Sequence, residues 1–112
     1  AGGGVPTPIK ARGEISEQDF EDKLNKLVDV DIICTHAPPL IANLIIDVIT
    51  NKKEQGWESL RKYILTNKPK LSLFGDVHQP RATKWMIGPT VCMNVGYFRA
   101  SSHYLELSSI DI

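Results

Sequence analysis

The stretch Leu71-Ser72-Leu73-Phe74-Gly75-Asp76-Val77-His78 decides how the chain is read. Its first four residues form a run too short for a helix, with Pro69 before it and Gly75 after it as breakers. That pattern predicts a buried strand over Leu71 to Phe74. Just past the strand stand Asp76 and His78, both side chains that bind metals well. A second run of the same form lies upstream. Val30 to Cys34 is short and nearly continuously apolar, and it is followed by Thr35-His36-Ala37-Pro38-Pro39. Open α/β sheets hold ligands just beyond the C-terminal ends of their strands. His36, Asp76 and His78 stand at that edge, where each could meet a ligand or serve as an ordinary surface, hydrogen-bonded or turn residue.

Around these two strands the period changes. Ser16-Glu17-Gln18-Asp19 fits a capping box, with Ile15 placed to staple against Phe20. Phe20, Leu24, Leu27 and Val28 recur at helical spacing, which predicts an amphipathic helix. Trp57, Leu60, Ile64 and Leu65 repeat the pattern between Gly56 and Pro69, predicting a second helix over Trp57 to Asn67. Leu40 to Thr50 is apolar with only a partly helical period and reads as a helix or an irregular apolar loop. Helix, strand, helix, strand implies neighbouring parallel strands joined by a right-handed crossover. Lys84 to Ile87 and Thr90 to Val95 flank Gly88-Pro89 as a hairpin, and His103 to Leu107 alternates as a further strand. Gly2 to Pro8 reads as a loop. The fold class is α/β.

Composition narrows the function. The 112 residues make one domain or part of one. Thirteen basic residues balance thirteen acidic ones, so no global field draws nucleic acid or an anionic membrane. No apolar run approaches the roughly 20 residues of a membrane span. Cys34 and Cys92 lie in apolar runs without a disulfide spacing, which predicts buried thiols and a cytoplasmic location.

In order and spacing, T-H-A-P-P over Thr35 to Pro39, G-D-V-H over Gly75 to His78 and N-x-G over Asn94 to Gly96 resemble the later metal motifs of the calcineurin-like metallophosphoesterases. The resemblance implies a four-layer α/β/β/α sandwich holding two divalent ions, Mn, Fe, Zn or Ni. It also implies hydrolysis of a phosphomonoester or phosphodiester by metal-bound hydroxide. The earlier family motifs D-x-H, G-D and G-N-H-[DE] do not occur upstream. The expectation is that this chain is the C-terminal portion of such a domain, supplies part of the binuclear site and is inactive alone.

By the same resemblance, His36 is a ligand of the second metal and His78 of the first. The family's G-H-x-H has its first His replaced by Asp76. A carboxylate can ligate in that place, but it adds negative charge and favours harder cations. The alternative is a non-catalytic scaffold or binding protein on the same fold with a degraded metal site. Asn94 and Gly96 fit a structural turn. Arg81 and Arg99 are candidates to meet a phosphate, while His103 reads as structural. The partner expected is a phosphate-ester substrate, with no membrane and no non-specific nucleic acid.

Overall fold

The computed structural model describes residues 15–96. The expected loop over Gly2 to Pro8, the strand over His103 to Leu107, Arg99 and His103 lie outside the described residues. Helix α1 spans Glu17–Asn25. At its start the Ser16 hydroxyl accepts from the Asp19 backbone N–H at 3.1 Å, one leg of the expected capping box. The helix ends earlier than the apolar spacing implies. Leu27 is half-buried, and Val28 is 72% exposed rather than part of the core stripe. Past the Lys26 cap the chain turns through Asp29 at φ 54, which breaks the helical register those residues would need.

Strand β1 covers Ile32–Cys34, shorter than the Val30 to Cys34 expected, because that turn occupies the residues before it. Helix α2 is a single turn, Ala42–Ile45. The rest of the Leu40 to Thr50 run is loop that folds back on itself, with Ile46 bridged to Lys53 in antiparallel fashion. Helix α3 spans Glu58–Asn67 and buries Ser59, Leu60, Tyr63 and Ile64. Leu65 is 46% exposed, since it lies about 100° round the helix from Ile64. Strands β2 (Leu71–Phe74) and β3 (Lys84–Ile87) have the bounds expected, and β4 is Thr90–Asn94. Gly88, the first turn residue of the β3–β4 hairpin, has φ 56, as the tight turns that match strand twist require.

The four strands form one mixed sheet in the order β1-β2-β4-β3. β1, β2 and β4 run parallel, and β3 pairs antiparallel with β4 at the edge. Each register row shares a face. Ile33, Ser72, Cys92 and Trp85 therefore lie on one side, with Phe74 and Ile87. The helices cover that side. Phe20, Leu24, Leu44, Trp57, Leu60, Tyr63 and Ile64 cluster with Ile33, Phe74, Ile87 and Cys92. Phe20 stacks on Trp57 at 4.0 Å between ring centroids. Fully burying a side chain of this size stabilises by roughly 2–3 kcal/mol. Among the described residues the fold is α/β with one mixed four-stranded sheet. No helix among the described residues is long and apolar enough to cross a membrane.

Candidate metal site at the strand ends

β1 and β2 are parallel neighbours, so their C-terminal ends emerge side by side. The ladder runs on past the strands and fixes the residues that follow. Thr35 N–H donates to the Leu73 carbonyl at 2.9 Å, and Gly75 N–H donates to the His36 carbonyl at 3.1 Å. Thr35 is buried, with its hydroxyl donating to the Ala37 carbonyl at 2.8 Å, which holds the turn that projects His36.

The second turn is tighter. Val77 N–H donates to the Gly75 carbonyl at 2.9 Å across Asp76, whose φ is 71. This is a three-residue turn of the positive-φ kind, a strained conformation that Asp tolerates better than most side chains. Gly75 is not the residue that requires glycine. A Cβ there would meet nothing closer than Val95 Cγ2 at 3.9 Å.

These turns bring His36 Nε2 to 3.4 Å from Asp76 Oδ1, with side chains 63% and 39% exposed. That separation is long for a hydrogen bond. It matches two ligands of one tetrahedral cation: bonds of about 2.0–2.2 Å at the tetrahedral angle put donor atoms about 3.4 Å apart. The donor pair, one imidazole and one carboxylate, suits Zn or Mn.

His78 does not complete a set. Among the described residues no group of three or more His, Cys, Asp and Glu side chains gathers closely enough to hold a metal ion. The positive φ at Asp76 interrupts the two-residue alternation that would put 76 and 78 on the same side. Val77, between them, is buried, while His78 is exposed.

Asn94 fills its expected structural place and adds a second one. Its Oδ1 accepts from Gly96 N–H at 2.8 Å, and Gly96 has φ 93. Its Nδ2 donates to the Val77 carbonyl at 2.7 Å from a buried position. The end of β4 thereby anchors the turn that carries Asp76, a role not visible in the N-x-G pattern. Arg81, the other candidate, donates from Nη2 to Asn51 Oδ1 at 3.5 Å.

The two cysteines part company. Cys92 is buried, as expected, and burial pushes its thiol up to about 11. Cys34 is exposed, contrary to expectation, because strand alternation gives the core position to Ile33. It lines an open cleft of about 340 Å³ together with His36, Leu73, Phe74 and Val95.

Comparison with protein-family models, curated proteins and solved structures finds no match to the chain in any of the three.

Proposed function

We propose that this chain is part of a metal-dependent phosphoesterase domain and that His36 and Asp76 contribute one edge of its cation site. The observation that carries the reading is the 3.4 Å spacing of His36 Nε2 and Asp76 Oδ1 at adjacent parallel strand ends. The strained turn at Asp76 supports it, since such backbone persists where the surrounding structure holds a side chain for a purpose. The motif order quoted above supplies the reaction class. Divalent cations, when bound, supply positive charge to phosphate oxygens and activate water. The chain's own residues do the positioning. Thr35 and the β1–β2 ladder aim His36, and Asn94 fixes the turn that aims Asp76.

The proposed architecture is the four-layer α/β/β/α sandwich. It is supported by the second face of the sheet, where Ile32, Cys34, Leu73, Val91, Met93 and Met86 make an apolar surface. None of these residues belongs to the helix-packed core. A non-catalytic scaffold on the same fold is favoured by one observation, the lack of a third ligand near the pair among the described residues.

Titration with Mn²⁺ followed by NMR tests the site directly. Paramagnetic broadening is expected first at His36, Gly75 and Asp76, and it should be abolished in His36→Ala. Asp76→Gly should also abolish it while leaving stability within about 1 kcal/mol, because glycine adopts positive φ freely. Broadening centred on the acidic residues of α1, or unchanged in His36→Ala, would exclude the site. The chain alone should not hydrolyse an aryl phosphate with added Mn²⁺, since two ligands cannot hold a binuclear centre.

A further inference from the structure

Zero net charge conceals an uneven distribution. Acid concentrates on α1 and the residues after it, where Glu17, Asp19, Glu21, Asp22, Asp29 and Asp31 outnumber Lys23 and Lys26. The edge that carries His36 and Asp76 is different. There the chain from Ile46 to Lys53 folds into a short ribbon, with Asp47 N–H donating to the Lys52 carbonyl at 3.0 Å. Its tip is fixed. Asp47 Oδ1 accepts from Ile49 N–H at 2.8 Å and Thr50 N–H at 3.2 Å, and Asn51 closes the turn at φ 55.

At this turn two apolar side chains face water beside exposed Thr50 and Asn51: Val48 is 53% exposed and Ile49 74%. Folding gains nothing from holding two β-branched side chains in solvent. Lys52, Lys53 and Arg81 stand exposed in the ribbon and the segment that braces it. Arg81 is tied to the tip through Asn51. Of the nearby acids, Asp47 is engaged by two backbone N–H groups and Asp76 lies 3.4 Å from His36 Nε2, which leaves Glu54.

We propose that the ribbon at residues 46–53 docks on an anionic lipid surface, with Val48 and Ile49 entering the headgroup layer and the basic residues meeting lipid phosphates. An apolar tip with a basic rim is the pattern of interfacial attachment. A protein partner suits it less well, because a specific interface buries about 800 Å² on each side and two side chains cannot form its core. Val48 N–H donates to the Gln79 carbonyl at 2.8 Å, three residues beyond Asp76, so docking would bring the strand-end edge to the surface. That consequence rests on the phosphoesterase reading. The docking itself does not.

Flotation of the chain with phosphatidylcholine vesicles, with and without phosphatidylglycerol, tests the docking without reference to metal or turnover. The chain should float with the anionic vesicles and not with the neutral ones, and salt should weaken the binding several-fold as the charges are screened. Ile49→Asp should reduce it by about tenfold or more. Lys52→Glu with Lys53→Glu should reduce it similarly, while Met86→Asp on the open sheet face leaves it unchanged. All four positions are exposed, so melting temperatures should match. No flotation, equal flotation with neutral vesicles, or loss in Met86→Asp but not in Ile49→Asp would overturn the proposal.

Discussion

Cys92 and Ser72 show how much a single atom in the core can decide. The Cys92 thiol, ordinarily at 9.0, is pushed up to about 11 by burial. Below pH 9 the thiol keeps its proton both folded and unfolded, and the fold has its full stability. Between about 9 and 11 only the unfolded chain loses that proton, so stability falls by about 1.4 kcal/mol per pH unit, on the order of 2–3 kcal/mol in all. Burial raises Tyr63 from 10.0 in the same direction, so its contribution is lost over an adjoining alkaline range. Urea denaturation at pH 8 and pH 10.5 should show this loss. Cys92→Ala should flatten it, and Cys34→Ala should not. An alkylating reagent should label Cys34 in the folded chain and reach Cys92 only on unfolding. Ser72 Oγ is buried without a hydrogen-bond partner among the described residues. Leaving such a group unsatisfied costs about 1–3 kcal/mol, so Ser72→Ala should raise stability by about 1 kcal/mol in the same measurement.

At the scale of elements, Glu17 joins the two long helices. Trp57, the N-cap of α3, offers no side-chain cap. Glu17, from the first turn of α1, takes that role. Its Oε1 accepts from Glu58 N–H at 3.1 Å, and its Oε2 accepts from Ser59 N–H at 3.3 Å and from the Ser59 hydroxyl at 2.7 Å. An anion on these N–H groups also meets the positive end of the helix dipole. Glu17→Ala should therefore cost about 1–2 kcal/mol by thermal or chemical denaturation, the range for a lost cap. Glu21→Ala, exposed on the same helix, should cost almost nothing. Nothing local in the sequence marks Glu17 as the cap of a helix forty-one residues away. Local signals were legible: breakers set the bounds of β2, Gly88-Pro89 set the hairpin, and Ser16 set the start of α1. The site was legible in part. His36 and Asp76 meet because parallel pairing was readable from strand, helix, strand order. The left-handed turn at Asp76 was not, because Asp after Gly does not reveal a positive φ.

At the scale of the molecule, the described residues give the sheet two unlike faces. One is sealed by helices over Ile33, Phe74 and Cys92. The other presents Met86 at 51% exposure beside half-buried Ile32, Leu73, Val91 and Met93, with Leu71 buried at its centre and Cys34 exposed among them. A strand with apolar residues on both faces is the pattern of a sheet packed on both sides. In the proposed sandwich a second sheet would lie about 10 Å away across this face. The chain alone should therefore behave as a folded protein with an apolar surface. It should bind an apolar fluorescent dye at pH 7 while its thermal unfolding remains cooperative. Val91→Thr with Met86→Thr should reduce dye binding and concentration-dependent light scattering, with a change in stability of no more than about 1 kcal/mol, because these side chains contribute little to the helix-packed core. Trp85→Thr is the contrasting change. Trp85 lies on the helix side but is 38% exposed on the edge strand, so its loss should cost less than a core substitution and leave the dye signal in place. If the folded chain binds no dye, or if Val91→Thr with Met86→Thr destabilises it as a core substitution would, this face is already covered and the sandwich architecture loses its support.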